Sequence, residues 1–358
     1  MDTTATTAFA SAIAEDTTQQ SDVRAYKIRR GAGIDGLELV TRPRATLGPR
    51  DVRVRMRAVA LNYRDLMVAR GDSGATDRAI VPASDGAGEV VATGSEVTAF
   101  RIGDRVTGSF FPDWTGGEPT AAVLARGLGG SIDGVLAEEV VLDQEAWVAM
   151  PAHMDFIEAS TLPCAGVTAW NALFRAAPLS PGDSVLLLGT GGVSMWALQL
   201  AKQAGMRVLI TSSDDGKLER ARALGADITI NYRRTPEWET EVARWTEGRG
   251  VDRVLEVGGP DTLSRSIAAT RMGGTIAVIG RLTGTSSIAF DPVSLFSGSK
   301  RMVGVMVGSR AMASDLARFA ELGGIHPVID RVFDFEHARE AYAYLEKAQH
   351  FGKVVITI

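Results

Sequence analysis

The chain has 358 residues and a formal net charge of −5. This length exceeds that of one ordinary hydrophobic core and predicts two domains, while the negative charge argues against nucleic acid or an anionic membrane surface as the main partner. A single cysteine, Cys164, excludes internal disulfides and any zinc site built from several cysteines.

Residues 1–22 are predicted to form a disordered tail. They are rich in Thr, Ser, Ala and Gln and carry neither the basic segment nor the long apolar core of a secretion signal. Elsewhere no run approaches the roughly 18 apolar residues of a membrane-spanning helix. We therefore expect a cytoplasmic protein without a membrane partner.

Residues 23–154 are predicted to form the first part of an all-β, barrel-like domain. The run DVRVRMRAVALN alternates apolar residues with arginines, as half-buried strands do, and GAGEVVATG and GDRVTGS are strand pieces bounded by glycine turns. A Gly/Pro-rich insertion at residues 110–134 interrupts this pattern. Long loops often line a binding site, although a surface excursion explains the composition equally well.

Residues 155–308 are predicted to form a doubly wound parallel sheet. Five apolar runs, SVLLLG, RVLITS, DITINY, VDRVLEVGG and GTIAVIG, are mostly separated by helical segments, and RMVGVMVG supplies a sixth run. Near-continuous apolar strands that alternate with helices are typical of a parallel sheet covered on both faces. Residues 309–358 add a helix and a last strand, KVVITI, which we expect to return to the first domain.

The stretch LLLGTGGVSMWALQL predicts a dinucleotide-binding turn. Gly189 permits the tight turn and Gly191 lets the backbone approach a pyrophosphate, while the helix that opens at Gly192 and Val193 offers free N–H groups and its positive dipole end. Ser194 stands where the usual fingerprint has its third glycine, and a small serine is tolerable there. Such turns also occur as bare strand–helix corners; the surrounding sheet favours the cofactor.

The end of the second strand of this sheet indicates which cofactor binds. An NAD site usually has Asp or Glu there, whereas this chain has Ser212, 23 residues beyond Gly189. Ser212 and Ser213 can donate hydrogen bonds to a 2′-phosphate, and Lys217 can oppose its charge. The carboxylates of the neighbouring Asp214 and Asp215 would repel a 2′-phosphate unless they face solvent. The alternative for Lys217 is an ordinary exposed lysine of the helix. The pattern favours NADP(H), with NAD(H) as the alternative.

Several motifs in order resemble the medium-chain dehydrogenase/reductases. They are GDRV, PASDGAGEVVATG, LPCAGVTAWNALF, the glycine turn and the closing GKVVITI, and the resemblance runs from about Val23 to the C-terminus. It implies an α/β protein in which a GroES-like β-barrel catalytic domain accompanies a Rossmann domain with a doubly wound parallel sheet. It also implies a homodimer joined at the edge of the Rossmann sheet.

The positions that hold catalytic zinc in members of this family differ here. The resemblance matches Asn62 to the first cysteine, Ser84 and Asp85 to the His-Glu pair, and Cys164 to the last ligand. One thiolate with neutral Ser and Asn oxygens is a poor zinc site. The four histidines show no ligand spacing and are expected at the surface or at helix ends: His153, His326, His337 and His350. We therefore expect a zinc-free member.

Zinc-free relatives, the quinone oxidoreductases and enoyl reductases, deliver hydride to a quinone or an activated C=C bond. The segment LNYRD resembles the part of these reductases that faces the nicotinamide. It implies that Asn62 holds the substrate carbonyl and that Tyr63 donates a proton or a hydrogen bond; the alternative for Tyr63 is a core aromatic of the barrel. Arg64 and Asp65 are expected to form a structural ion pair, with a proton relay as the alternative.

The resemblance implies further contacts around the cofactor and substrate. Cofactor contacts are expected from the strand ends and the C-terminal segment: Thr168, Tyr232, Val257, Gly258, Gly280, Gly308, Arg310 and Lys353. Cys164 is expected as a small pocket-wall residue. Phe111 and Trp114, with Phe110, indicate either an apolar or aromatic substrate or an anchor for the 110–134 loop.

Three functions are compatible with these residues. The first is NADPH-dependent reduction of an enone, a quinone or a related activated alkene. The second is an NAD(P)-dependent alcohol dehydrogenase or carbonyl reductase that works without zinc, and the third is a non-catalytic NADPH-binding protein. In each case the partner is a small molecule.

Overall fold

The computed structural model describes residues 22–73, 78–284, 287 and 291–358. Except for Asp22, the predicted tail lies outside the described residues. Among those that are described, no helix is both long and apolar enough to cross a bilayer. The domain bounds at 154/155 and 308/309 stay predictions.

The N-terminal part and the end of the chain together form the β-rich domain. Its strands are β1 (Val23–Lys27), β2 (Glu38–Arg42), β3 (Asp51–Leu61), β4 (Asp85–Thr93), β5 (Arg105–Gly108), β6 (Glu139–Asp143), β7 (Trp147–Ala149), β14 (Ile329–Asp334) and β15 (Lys353–Thr357). The larger sheet has the order β14-β15-β3-β4-β5-β7, with β6 also paired to β3, and β1 pairs with β2. In β3 the apolar Val52, Val54 and Met56 are buried, which confirms the half-buried strand predicted from its alternation.

The middle of the chain forms a six-stranded parallel sheet within the described residues. Its strands are β8 (Ser184–Leu188), β9 (Arg207–Ser212), β10 (Ile228–Asn231), β11 (Val251–Glu256), β12 (Thr270–Val278) and β13 (Arg301–Gly304). Their order, β10-β9-β8-β11-β12-β13, confirms the doubly wound sheet. The strand order reverses between β8 and β11, and ligands of such sheets bind outside the carboxyl ends of the strands at that point.

The helices cover both faces of the parallel sheet and join the two domains. They are α1 (Tyr63–Arg70), α2 (Ala121–Leu124), α3 (Phe156–Ala159), α4 (Val167–Trp170), α5 (Gly192–Gln203), α6 (Asp215–Ala223), α7 (Trp238–Trp245), α8 (Leu263–Ala269), α9 (Val293–Phe296), α10 (Arg310–Gly323) and α11 (Ala338–Glu346). Short 3₁₀ turns cover Ile34–Gly36, Gln144–Ala146 and Phe335–His337, and π turns at Leu162–Gly166 and Asn171–Arg175 flank α4.

A buried arginine anchors the helical segment 162–175 to the parallel sheet. Arg253 on β11 is only 1% exposed, and its guanidinium donates hydrogen bonds to the carbonyl oxygens of Ala172, Leu173 and Ala177. Burial lowers the pKa of Arg253 to about 10. The charge is stabilised because it satisfies carbonyl groups that the irregular end of the helix leaves without helical partners.

The C-terminal strand returns to the first domain, as its position after a complete doubly wound sheet predicts. Strand β15 pairs antiparallel with β3, with Val354 opposite Leu61. Just before it, Gly352 bridges to Gly191 and donates its N–H to the carbonyl oxygen of Thr190 at 3.0 Å. One short segment therefore contacts both the β-rich domain and the glycine turn of the parallel sheet.

Candidate functional site

A cleft of about 1720 Å³ lies at the carboxyl ends of the parallel strands. Its walls come from α1, the 110–134 loop, the helical segment 162–175, the glycine turn and the C-terminal segment. Pockets for one small ligand measure roughly 300–1,000 Å³. The cleft therefore has room for a dinucleotide together with a second small molecule.

Most residues predicted for the site line this one cleft. They are Asn62, Tyr63, Phe111, Trp114, Cys164, Thr168, Gly189, Gly191, Gly192, Val193, Ser212, Ser213, Lys217, Tyr232, Val257, Gly280 and Lys353. The sequence separates these residues by up to 291 positions along the chain, from Asn62 to Lys353. The fold brings them together because the carboxyl strand ends and the returning segment meet at the same edge.

Three predicted cofactor contacts are not among the lining residues. Gly258 packs against Thr262, because a Cβ on Gly258 would lie 2.2 Å from the hydroxyl oxygen of that threonine. Gly308 packs against Val167, because a Cβ on Gly308 would lie 2.6 Å from a methyl carbon of that valine. The Nε of Arg310 donates to the carbonyl oxygen of Trp147 at 3.0 Å, and its Nη1 lies 3.2 Å from Glu145. Arg310 therefore reinforces the β-rich domain instead of reaching the cleft.

The glycine turn has the conformation that a pyrophosphate site requires. Gly189 has a φ of +70°, which favours glycine, and no atom would meet a Cβ on Gly191, so its backbone is open to a ligand. The hydroxyl of the substituted Ser194 donates to the carbonyl oxygen of Leu188 at 2.8 Å. The serine thus satisfies its own buried polar group, and the first N–H groups of α5 remain available for an anion.

The outer end of the cleft carries the polar groups predicted for the adenosine side. Asp214 caps α6 by accepting the N–H of Lys217 at 2.9 Å, and Asp215 binds Asn231 and Arg234. Neither acid is among the lining residues of the cleft. The two carboxylates that would have opposed a 2′-phosphate are therefore turned away from it, while Ser212, Ser213 and Lys217 face the cleft.

His350 also lines the outer end of the cleft, so its predicted place as an ordinary surface residue is wrong. Burial, together with the charges of Lys217 and Lys353, lowers the pKa of His350 to about 4. The imidazole is therefore neutral at physiological pH.

The other three histidines lie outside the cleft lining. The rings of His153 and His326 pack edge to face with their centroids 5.1 Å apart, and Nδ1 of His337 lies 3.9 Å from the Asp334 carboxylate.

Tyr63 and Asn62 stand at the start of α1, where β3 ends. Asn62 precedes the helix, and its backbone N–H donates to the Asp65 carboxylate at 2.7 Å. Tyr63 is the first helical residue, is 40% exposed and lines the cleft. The alternative that Tyr63 is a core aromatic of the barrel is therefore wrong, because β3 ends at Leu61, two residues earlier.

The expected ion pair between Arg64 and Asp65 does not form. The Arg64 guanidinium donates to the carbonyl oxygen of Leu128 at 2.6 Å and lies 4.6 Å above the Phe110 ring. Asp65 points the other way and accepts the N–H of Asn62. Adjacent helical residues do not face each other, and this separates the two charges.

The inner end of the cleft contains a buried polar cluster. Lys353, 3% exposed, donates from Nζ to the carbonyl oxygen of Leu61 and to Oδ1 of Asn62, both at 2.6 Å. Asp85 is fully buried; its Oδ1 accepts the Ser84 hydroxyl at 2.7 Å and its Oδ2 accepts the N–H of Cys164 at 3.0 Å. Burial raises the pKa of the Cys164 thiol far above its usual range, and the charge of Asp85 raises it further. The thiol is therefore protonated at neutral pH.

The aromatic residues of the 110–134 loop form one wall of the cleft. Phe110 and Phe111 pack edge to face with ring centroids 4.6 Å apart, and the Trp114 ring follows at 6.1 Å from Phe111. The indole N–H of Trp114 donates to the carbonyl oxygen of Gly117 at 3.0 Å. These rings therefore anchor the loop and at the same time give the cleft an apolar face.

Sequence reasoning missed several charged residues of the cleft, among them Glu256 and Arg281. Glu256 is fully buried, and its carboxylate accepts the N–H groups of Gly258 and Gly259 at 2.7 and 2.9 Å and the hydroxyl of Thr262 at 2.7 Å. The sequence did contain a signal for Glu256: it is a charged residue at the end of an apolar strand, shortly before the glycine pair Gly258 and Gly259. Its carboxylate fixes the turn that follows β11.

Two family models match the chain in its two halves. The model described as alcohol dehydrogenase GroES-like domain matches residues 48–152, and the one described as zinc-binding dehydrogenase matches residues 192–322. A zinc-type alcohol dehydrogenase-like protein of Schizosaccharomyces pombe is 42% identical over 318 residues, which are 87% of this chain and 92% of that protein. The chain belongs to the medium-chain dehydrogenase/reductase (MDR) superfamily.

Solved structures of similar proteins place the chain among MDR oxidoreductases. A Sinorhizobium meliloti 1021 protein, provisionally assigned as an alcohol dehydrogenase, is 41% identical with a TM-score of 0.88, covering 95% of this chain and 100% of that one. An NAD-dependent alcohol dehydrogenase is 35% identical with a TM-score of 0.84, covering 94% and 99%. A quinone oxidoreductase of Pseudomonas syringae pv. tomato DC3000 is 25% identical with a TM-score of 0.80, covering 94% and 100%. The protein is an MDR oxidoreductase, and its glycine turn and open cleft are consistent with a nicotinamide cofactor.

The zinc that the names of some relatives imply does not fit the inner end of this MDR cleft. The amide oxygen of Asn62 already accepts a hydrogen bond from an ammonium group, and Cys164 has Ser84 and Asp85 near it instead of a further thiolate or imidazole. Zinc prefers deprotonated thiolates and neutral imidazoles, and a divalent cation at Asn62 would lie beside the charge of Lys353. Within the ranges that the structure describes, no group of three or more His, Cys, Asp or Glu residues could hold a metal ion.

Burial of the Asp65 carboxyl predicts a specific pH dependence of stability. Burial raises its pKa to about 6, so the folded chain binds the proton more tightly than the unfolded chain does. The ionised group therefore costs stability at neutral pH, and this cost disappears as the pH falls through about 6. Relative to Asp65→Asn, the wild type should gain up to about 3 kcal/mol in free energy of unfolding between about pH 7 and pH 4.

Urea unfolding at a series of pH values measures this difference. Asp334→Asn, at a largely exposed carboxylate, serves as the control and should follow the wild-type profile. Parallel profiles for Asp65→Asn and the wild type would contradict the assignment.

Proposed function

We propose that the protein is a zinc-independent, NADPH-dependent oxidoreductase that transfers hydride to a quinone or to an activated C=C bond. The observation that carries the proposal is the inner end of the cleft. There the Asn62 amide is bound to the ammonium of Lys353 and Tyr63 begins the adjacent helix, in place of a set of metal ligands.

These residues suit an acceptor whose negative charge is delocalised. Hydride addition to an enone or a quinone places charge on a conjugated carbonyl oxygen, which hydrogen bonds and one proton donor can stabilise. Oxidation of a simple alcohol requires stabilisation of a localised alkoxide, a task for which metal ions are well suited. In the proposal Tyr63 supplies the proton, and the nicotinamide supplies the hydride when bound. The carbonyl contact that the sequence implies for Asn62 is not carried over, because its Oδ1 accepts from Lys353 and its Nδ2 is buried.

The shape of the cleft supports an apolar, conjugated substrate. Its free volume exceeds that of a site for one small ligand, and the wall made by Phe110, Phe111 and Trp114 offers aromatic surface. Flat quinones and aryl enones pack well against such rings. The structural likeness to a quinone oxidoreductase is in keeping with this substrate class.

The cofactor is proposed to be NADPH, bound with its pyrophosphate at Gly189, Gly191 and the start of α5. Ser212 and Ser213 offer hydroxyl groups to a 2′-phosphate, and Lys217 offers positive charge. The two acids beside them are engaged elsewhere. NAD(H) is the alternative, favoured by the likeness to an NAD-dependent enzyme.

Alcohol or carbonyl oxidoreduction without zinc is the second candidate function. It is favoured by the sequence identity of 42% and 41% to proteins named after alcohol dehydrogenases. It differs from the main proposal in the acceptor, an isolated C=O group instead of a conjugated one.

NADPH oxidation with a quinone, an enone and a simple aldehyde, each with and without a chelator, tests the proposal. We expect turnover of the quinone or the enone that the chelator does not change. We also expect Tyr63→Phe to lower kcat by about 100-fold or more, since positioned proton donors contribute roughly 10²–10⁴-fold. Tyr344→Phe removes a phenol that donates to Asp330 and should leave kcat unchanged.

Each other outcome of this assay has a defined meaning. Turnover of the aldehyde alone would support carbonyl reduction and contradict the main proposal. Loss of activity with the chelator, restored by zinc, would contradict zinc independence. NADPH binding without turnover of any acceptor would indicate a non-catalytic binding protein.

Replacement of Lys217 tests the choice of cofactor. Lys217→Met removes the positive charge beside the two serines, and charge-assisted hydrogen bonds contribute about 1.5–3 kcal/mol. The KM for NADPH should therefore rise by about 10- to 100-fold, while the KM for NADH stays within about 2-fold. Lys202→Met, which removes a lysine paired with Asp227 on the surface, is the matched control. Equal effects on both cofactors would contradict a 2′-phosphate site.

The proposal extends to a homodimer joined at the edge strand β13. The structure leaves one side of β13 without a strand partner among the described residues, and apolar side chains are exposed nearby, including Phe296 and Met302. Exposed strand edges with apolar neighbours favour pairing with a second chain. The two copies would then continue one sheet across a twofold axis.

Sedimentation equilibrium or light scattering tests the dimer. We expect a dimer for the wild type and a shift to monomer for Phe296→Glu, because the substitution would bury a charge at the dimer interface. Leu322→Glu, on the exposed side of α10 and 89% exposed, is the control and should remain dimeric. A monomeric wild type would contradict this part of the proposal.

A further inference from the structure

We propose that His350 is a specificity-determining residue of the cofactor site, whose N–H group at Nε2 donates a hydrogen bond to the 2′-phosphate of NADP(H). This inference rests on the proposed function, in which NADPH binds with that phosphate near Ser212, Ser213 and Lys217. The sequence alone did not imply the contact, since His350 was expected at the surface or at a helix end.

The loop that carries His350, residues 348–352, is held at both ends against the cleft. At one end the Lys217 ammonium donates to the carbonyl oxygen of Ala348 at 3.2 Å. At the other end Gly352 donates its N–H to the backbone of the glycine turn at 3.0 Å. His350 therefore lies between the lysine proposed for the 2′-phosphate and the turn proposed for the pyrophosphate.

A cation–π contact fixes the same loop to α6. Phe351, the neighbour of His350, is only 1% exposed, and Cζ of Arg220 lies 4.1 Å from the centre of its ring. Arg220 follows Lys217 by three residues, so both side chains leave one face of the helix toward the loop. The Arg220 guanidinium also pairs with Asp330 at 3.3 Å. The loop and the helix that carries Lys217 are therefore positioned together.

The two ring nitrogens of His350 have different surroundings. Nδ1 is buried and meets no hydrogen-bond partner within the part of the chain that the structure describes. Nε2 is not enclosed in this way and is the nitrogen that faces the cleft lined by His350. Folded proteins tolerate an unsatisfied buried acceptor better than an unsatisfied buried N–H group, so we assign the proton of the neutral ring to Nε2. The ring thus presents a donor to the cleft.

The charges around His350 suit a phosphate. Burial lowers the pKa of His350, the charges of Lys217 and Lys353 lower it as well, and Asp330 acts in the opposite direction. The carboxylate of Asp330 is itself paired with an arginine, so positive charge prevails around the ring. The Lys217 ammonium gives one of its three N–H groups to the loop backbone. A 2′-phosphate, with three acceptor oxygens, can therefore bind His350 and Lys217 at once.

Binding of NADPH and NADH to His350→Phe, measured by isothermal titration calorimetry, tests the inference without any acceptor substrate. The phenyl ring keeps the shape of the imidazole but has no N–H group, so the Kd for NADPH should rise by about 10-fold or more, as expected for a hydrogen bond to a charged group. The Kd for NADH should stay within about 2-fold, because NADH has no 2′-phosphate to accept the bond. His337→Phe, at a histidine outside the cleft lining, is the matched control and should leave both constants unchanged.

A second variant keeps the test valid if the phenyl ring disturbs the loop. The amide of His350→Gln places an N–H donor near the position of Nε2, so it should recover most of the affinity for NADPH that His350→Phe loses. A histidine that only packed the loop would affect both cofactors alike when replaced. Equal effects on NADPH and NADH, no effect on either, or no recovery with glutamine would overturn the inference.

The ring proton signals of His350 in NMR spectra separate this inference from the proposed function. The Cε1–H signal is identified by its loss in His350→Phe, and two ligands that differ only in the 2′-phosphate are then added, adenosine 2′,5′-bisphosphate and adenosine 5′-monophosphate. We expect the bisphosphate to shift the signal and the monophosphate to move it little, whether or not the enzyme reduces a quinone. Equal shifts with both ligands, or none, would contradict the contact even in an active reductase. A selective shift in a protein that reduces no quinone or enone would retain the contact and overturn only the proposed reaction.

Discussion

The organisation of the cleft depends on one buried interaction, the hydrogen bonds from the Lys353 ammonium to the backbone of Leu61 and the side chain of Asn62. They join the last strand of the chain to the end of β3, where Leu61, Asn62 and Lys353 line the cleft. A buried charge is tolerated only when its hydrogen bonds are satisfied, so this lysine also constrains its neighbours. Gly192 must lack a side chain, and the Asn62 amide must present its oxygen inward.

The same interaction bears on the proposed hydride transfer to a conjugated acceptor. A fixed ammonium supplies positive charge in a site of low polarity, where an oriented dipole acts more strongly than in water. Asp85 and the protonated Cys164 complete the cluster as neighbours of the lysine and offer no vacant set of metal ligands.

Local pattern in the sequence was enough to predict the parallel strands and the glycine turn, because each depends on residues close together in the chain. The return of the last strand was predicted from its position after a complete doubly wound sheet. The direction of side chains was not predictable in the same way. Arg310 and Lys353 both lie in the C-terminal part, yet Arg310 donates to Trp147 while Lys353 reaches Asn62. Both outcomes depend on contacts with the first half of the chain. Tyr63 was ambiguous for a related reason, since the strand ends at Leu61, two residues before it.

A crystal structure of the protein with NADP⁺ and an unreactive quinone or enone analogue tests the central claim most directly. The account predicts the carbonyl oxygen of the analogue within hydrogen-bond distance of the Tyr63 hydroxyl, with Nζ of Lys353 still bound to Oδ1 of Asn62. A carbonyl oxygen bound to a metal ion, or Lys353 turned away from Asn62 toward the cofactor phosphates, would contradict it.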